Sequence, residues 1–320
     1  MNTPRFVFAL VLALVLAGPI SAQIREENIR AELGFLASDA MLGRGSGTIF
    51  ELIAAEYVGS QFRQFGLEPG GDTDSAGNKD YVQRVALDST GSKMTWNVIG
   101  ILKGSDPALA SQVIMLSAHL DHLGIHEGMS GDNIFNGADD DASGCVAVLE
   151  LARVLAAEKR PKRTIYFIGF GSEERGGLGS DYFIEHTPVP LTQIVVDLTF
   201  EMLGRPDAKV PAGTLWLTGF ERSTLGPELA RQGAALVADP HPQQHFFQRS
   251  DNYPLALRGV IAHTISSFGL HGDYHRPSDE VSKIDFPFMT RSLNSLVKPI
   301  QWLANSDFRP AWLPGQAPKR

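Results

Sequence analysis

The sequence carries a single cysteine, Cys145, in 320 residues. No intrachain disulfide can form, so a fold of this size has to rest on its apolar core. Cys145 sits in an apolar stretch, residues 142–157, that reads as a helix, and a buried structural thiol is expected there rather than a catalytic one. Clustered positive charge is missing as well. Lys and Arg total 28 against 36 Asp and Glu, for a formal charge of −8, and they form no run, so nucleic acid is not expected as a partner. The acidic excess says little by itself, because bound cations can neutralise acids. Long apolar runs are absent after the first residues. The one run, residues 6–17, is short of the ~20 residues a membrane span needs. It follows Arg5 and precedes Ile20-Ser21-Ala22, so residues 1–22 read as a secretory leader cleaved before Gln23, with an uncleaved anchor as the alternative. The expectation is an exported protein, periplasmic or secreted, without stable membrane insertion once the leader is removed. No internal repeat, low-complexity segment or linker divides residues 23–320, which read as one domain.

Apolar periodicity is plentiful. Residues 25–36 and 51–65 have helical spacing, with a glycine-rich loop, 40–48, between them. That loop lacks the Lys-Ser/Thr of a phosphate cradle and follows no strand. Short β-rich runs occur at 96–102, 112–118, 164–170, 193–200, 214–220 and 260–266. Helical patterns occur at 142–159, 181–186, 225–236 and 286–304. Alternating strands and helices predict an α/β three-layer sandwich with a mixed, centrally parallel sheet.

In such a sheet, ligands gather at the carboxyl ends of the strands. His119 and Asp121 fall at the end of one run, Glu173 and Glu174 after the next, Glu201 at the end of another, and His275 in the loop after the last. Asp140 stands before the apolar helix in Gly137-Ala138-Asp139-Asp140-Asp141. Histidine nitrogen and carboxylate oxygen are the donors zinc takes. Two zinc ions ~3.5–4 Å apart repel each other, so a bridging carboxylate is needed, and Asp140 is placed to be one. Hydrolysis by an activated water also needs a carboxylate that is not a ligand. The pair Glu173-Glu174 can divide into one ligand and one base. Asp197 competes with Glu201, and His271 with His275. His122, His126, His186, His241, His245 and His263 are not expected to be ligands.

The chain resembles the co-catalytic dizinc aminopeptidases, the secreted bacterial aminopeptidases related to glutamate carboxypeptidase. The resemblance spans residues 33–300 and rests on five ordered motifs: Ser117-Ala118-His119-Leu120-Asp121-His122-Leu123-Gly124, Asn136-Gly137-Ala138-Asp139-Asp140-Asp141-Ala142-Ser143-Gly144, Ser172-Glu173-Glu174-Arg175-Gly176, Phe200-Glu201-Met202-Leu203-Gly204-Arg205 and Tyr274-His275-Arg276-Pro277-Ser278-Asp279. It implies a zinc exopeptidase fold, two zinc ions and a peptide substrate. It makes His119, Asp140, Glu174, Glu201 and His275 the ligands and Glu173 the general base. Asp121 would orient His119, and Tyr274 would stabilise the oxyanion. One position departs, because the family usually has Asp where this chain has Glu201. The span 81–113 also leaves no room for the lid domain that many relatives insert.

Three other readings compete. A single-zinc glutaminyl-peptide cyclase would lack the full ligand set. A metallo-β-lactamase-like hydrolase would need His where Ser117 stands. An inactive binding relative would have lost ligands or the base.

Overall fold

The computed structural model describes residues 23–319; the expected leader, 1–22, lies outside them. Among the described residues no helix is long and apolar enough to cross a membrane. The strands, in chain order, are β1 (Glu68–Pro69), β2 (Val82–Ala86), β3 (Met94–Leu102), β4 (Val113–His119), β5 (Gly124–Ile125), β6 (Ile134–Phe135), β7 (Thr164–Phe170), β8 (Ile194–Phe200), β9 (Leu215–Leu217), β10 (Leu236–Ala238) and β11 (Ala262–Ser266). The helices are α1 (Glu26–Leu36), α2 (Ile49–Gln64), α3 (Gly144–Ala157), α4 (Leu178–Glu185), α5 (Leu225–Arg231), α6 (Asn252–Leu257) and α7 (Phe286–Asn305).

Every residue of β4, β7, β8 and β11 is buried. Strands with near-continuous apolar character suit a parallel sheet covered on both faces. These four form its centre, in the order β7-β4-β8-β11, all parallel. β3 adds to β7 antiparallel, and β1 and β2 both pair with β3. On the far side β9 joins β11 antiparallel and carries β10 parallel to itself. Helices α1, α2, α3, α5 and α7 share one core, built from residues such as Leu33, Val58, Leu149, Leu229 and Leu293. On the opposite face α4 and α6 pack Phe183 and Leu255 against Ile168 and Phe170. The predicted three-layer sandwich is the observed one.

Strands β1, β2, β5, β6 and β10 lie outside the sequence reading, and two of them show why. β2 was not predicted; its Val-Gln-Arg-Val-Ala sequence is half polar, and Arg84 and Ala86 are exposed at the sheet's edge. The helix predicted over 225–236 ends at Arg231, because Gly233 turns the chain at φ +100°. The residues beyond it become β10.

Candidate metal centre

After β4 the chain crosses to β7 on one side of it and then to β8 on the other. This reversal opens a crevice at the carboxyl end of β4, the place where open α/β sheets bind ligands. His119 is the last residue of β4. Glu173 and Glu174 lie three and four residues beyond β7, Glu201 directly follows β8, and His275 stands in the loop after β11. Asp140 comes from the irregular turn that leads into α3.

These side chains converge. His119 Nε2 is 3.2 Å from Asp140 Oδ1. His275 Nε2 is 3.1 Å from Asp140 Oδ2 and 3.2 Å from Glu174 Oε1. Asp140 therefore faces one imidazole with each oxygen, as a bridging carboxylate would. Glu173, Glu174 and Glu201 line the same cleft as Asp140, His275 and Tyr274. Among the described residues, Asp140 Oδ2 and Glu201 Oε2 are buried and accept no hydrogen bond. Buried carboxylate oxygens without partners are costly, and a cation between them removes the cost. Two imidazoles, three carboxylates and these orphan oxygens fit zinc. His119 is oriented as a ligand would be. Its Nδ1 lies 3.0 Å from the main-chain oxygen of Asp121 and donates to it, leaving the Nε2 lone pair toward Asp140.

Burial pushes both carboxyls of the glutamate pair upward, yet the two end on opposite sides of the usual range. Burial raises the Glu173 carboxyl well above its usual range, and Glu201, Asp251 and Glu174 add to this against the opposing pull of His119. Burial and Asp140 also push Glu174 up, but hydrogen bonds from His122 and His275 outweigh them and hold it at about 2. Tyr274 keeps its phenolic proton, since burial and then Asp140 raise it. Its ring stacks on His275, with centroids 3.9 Å apart, and its hydroxyl accepts from Arg249 at 3.4 Å. The wall opposite the acids is apolar: Met202, Phe246 and Phe268, with Trp216 packed behind.

The site rests on a floor of fully engaged groups. Asp141 accepts from the main-chain nitrogens of His119, Gly144 and Met202. Asp139 accepts from Gly204 N at 2.7 Å and pairs with His271 at 3.0 Å, so His271 braces the floor and does not reach the cleft. Asp279 accepts from the nitrogens of Asp139 and Asp140. Asp121 lies 3.7 Å from His119 with its carboxylate and chiefly holds the Glu173 and Glu174 main-chain nitrogens and Ser46 Oγ. The expected orienting role thus falls to its carbonyl. Asp197 spends its oxygens inside the sheet on Ser117 and Thr199, which leaves Glu201 as the acid in the cleft. Cys145 is buried and donates to His119 O. His241 pairs with Asp207, and His263 is enclosed between Thr218 O and Ser223 Oγ, where burial lowers it to about 4.

Sequence reasoning missed two contributors. The first is His122, one of the histidines not expected to be ligands; its Nδ1 stands 2.8 Å from Glu174 Oε1. It forms with Asp140, Glu174 and His275 a group whose ligand atoms all lie within 4.8 Å of one another. The second is the glycine-rich loop. Arg44, 1% exposed, donates to the carbonyls of Leu36, Leu120, Asn136 and Gly137, tying the end of α1 and the loops after β4 and β6 together beneath the site. Nothing in the loop's own sequence announces this, because every partner but Leu36 is at least 76 residues away.

Known proteins agree with this architecture. An aminopeptidase from Aneurinibacillus sp. strain AM-1 superposes with a TM-score of 0.67 at 17% identity, over 94% of this chain and 99% of that one. A zinc aminopeptidase from Bacillus subtilis gives 0.66 at 16%, over 89% and 96%. A glutaminyl cyclase from Porphyromonas gingivalis gives 0.65 at 17%, over 88% and 99%. At these identities the likeness concerns the fold. In sequence, a probable leucine aminopeptidase 2 of Aspergillus oryzae is 28% identical over 177 residues, 53% of this chain and 33% of that protein. An aminopeptidase of Pseudomonas aeruginosa is 33% identical over 114 residues, 35% of this chain and 19% of that protein. The matches thus span a third or less of these two curated relatives. The profile of peptidase family M28 matches residues 97–297, well over half of the sequence and every converging side chain described above, and the chain belongs to that family.

Proposed function

We propose that this protein is an exported two-zinc aminopeptidase, with residues 1–22 as its leader and 23–320 as its peptidase domain. The observation that carries the reading is the convergence of His119, Asp140, Glu174, Glu201 and His275 on one crevice, with Glu173 beside them. Asp140 would bridge the two ions. His119 and Glu201 would hold one, and Glu174 and His275 the other. When bound, the zinc ions supply a Lewis acid for the scissile carbonyl and lower the pKa of water toward ~7.

The chain's own groups do the rest. Glu173 takes a proton onto its carboxylate from the attacking water and hands it to the leaving amine. The Tyr274 hydroxyl keeps its proton and can donate to the carbonyl oxygen as charge develops there. Met202, Phe246, Phe268 and the Tyr274 ring form a wall for a large apolar side chain at the substrate's end. The acids around them favour a free ammonium over a free carboxylate, and among the described residues Arg249 is the only Arg or Lys lining the cleft. Relatives described as leucine aminopeptidase and zinc aminopeptidase support the same substrate class.

The test is a zinc-loaded assay on dipeptides with blocked or free ends, together with Glu173→Gln. Cleavage that needs a free amino end and falls about 10²–10⁴-fold in Glu173→Gln, with zinc retained, is expected. Cleavage that depends on a free carboxyl end, or wild-type turnover in Glu173→Gln, would contradict the proposal. Cyclisation of glutaminyl peptides in place of hydrolysis would move the protein to the cyclase reading.

A further inference from the structure

Three imidazoles enter the crevice, and the reaction above uses only two. The third, His122, is 1% exposed. It differs from both ligands in geometry. His275 Nε2 stands almost equally far, 3.1 and 3.2 Å, from the Asp140 and Glu174 oxygens. Donors around a tetrahedral zinc, each ~2.0–2.1 Å from the ion, are spaced in this way, about 3.3 Å apart. His122 Nδ1 is lopsided, at 2.8 Å from Glu174 Oε1 and 3.7 Å from Asp140 Oδ2.

The second ring nitrogen decides between metal ligation and hydrogen bonding. His122 Nε2 is buried and has no partner. Were Nδ1 to give its lone pair to a metal, the ring proton would sit on Nε2, buried and unsatisfied, at a cost of about 1–3 kcal/mol. Metal-bound imidazoles normally donate that proton, as His119 does to Asp121 O. With the proton on Nδ1 instead, Glu174 accepts it and only a lone pair is left on Nε2.

We propose that His122 is a positioning residue whose Nδ1–H holds Glu174, so that Glu174, and not the adjacent Glu173, is the ligand. The ring is held from two sides. His122 N donates to Arg44 O at 3.2 Å. Gly137 leaves the space it fills, because a Cβ there, at φ +58°, would stand 2.6 Å from the ring. The division of labour in the glutamate pair is thus set by a side chain 52 residues earlier.

The inference rests on the two-zinc reading, and zinc itself is the probe. H122N keeps an amide donor where Nδ1 sits. H122Q keeps the bulk but moves the amide to the position of Nε2. Chelator competition should show one of two zincs bound about 10–100-fold more weakly in H122Q, with H122N close to wild type. X-ray absorption at the zinc edge of the wild-type protein should count one imidazole per zinc on average. Three imidazoles shared over two zincs would make His122 a ligand and overturn the proposal. So would H122Q with wild-type affinity at both sites, or H122N no better than H122Q. A wild-type protein that takes up no zinc would overturn the underlying reading, a result distinct from these.

Discussion

Asp139 and Asp141 flank Asp140 in the chain, and all three are buried, yet they belong to different regions of the molecule. On the floor, each carboxylate oxygen of Asp139, Asp141, Asp121 and Asp279 accepts at least one hydrogen bond, mostly from main-chain nitrogens. In the crevice, Asp140 and Glu201 each keep a buried oxygen without a hydrogen bond, and the group 3.1 Å from the Asp140 oxygen is the imidazole of His275, itself a candidate ligand. The floor acids are satisfied by the protein and build it. The crevice acids are left wanting, and the protein alone cannot satisfy them. Acidity and burial are common to both sets. What separates them is whether the lone pairs are already used.

The comparison breaks most visibly at its centre. Zinc at about 1,000 times its Kd should stabilise the wild-type fold by about 4 kcal/mol. Asp140→Asn should lose this increment entirely, with zinc uptake abolished. Asp141→Asn should keep the increment but sit about 1–3 kcal/mol lower with and without zinc, because a floor acceptor is gone. Thermal unfolding of both variants, chelated and zinc-loaded, reads the difference. An equal loss of zinc stabilisation in the two would erase the distinction between floor and crevice.

A smaller effect tests the floor alone. Arg44→Met removes the guanidinium that four carbonyls share and leaves those carbonyls buried. A loss of about 3 kcal/mol or more is expected, seen as a fall of several degrees in Tm even in chelated protein. An unchanged Tm would show that the helix end and the two loops hold without their tie.

The smallest effect lies far from zinc. Glu32, in α1, is buried with Oε2 unpartnered, and burial, aided by Glu150, raises it from 4.5 to about 9. Across that window the folded state holds a proton that the unfolded chain has released. The stabilising contribution is therefore whole below about 4.5 and disappears as pH climbs through 9. Glu32→Gln should raise Tm at pH 8 by a few degrees and by less at pH 5. A gap that widens toward acid would contradict this sign.

Much of the site was legible because its residues sit in short motifs at strand ends, where position in the chain implies position in space. His119, Glu174, Glu201 and His275 are of this kind. So is the central sheet, since β4, β7 and β8 are buried throughout and mostly apolar. What escaped depends on contacts between distant segments. Arg44 and Ser46 lie in a loop whose glycines suggested little, and their partners are 75 to 93 residues away apart from Leu36. Nothing near His122 in the chain marks it, because the carboxylate it meets, Glu174, lies 52 residues away. Strand β2 was hidden by its polar edge positions, and β10 by a helical pattern that continues past Gly233.

Arg44 has one consequence for how such a chain can diverge. Its five-donor head grips peptide oxygens, which any amino acid supplies. The end of α1 and the two loops it binds are therefore free to exchange side chains at Leu36, Leu120 and Asn136 without loosening the knot, Gly137 excepted because a Cβ there would meet the His122 ring. Lengthening or shortening them is another matter, because the oxygens would move out of reach. Tolerance of substitution with intolerance of insertion is the pattern this single cation imposes on the ground beneath the crevice.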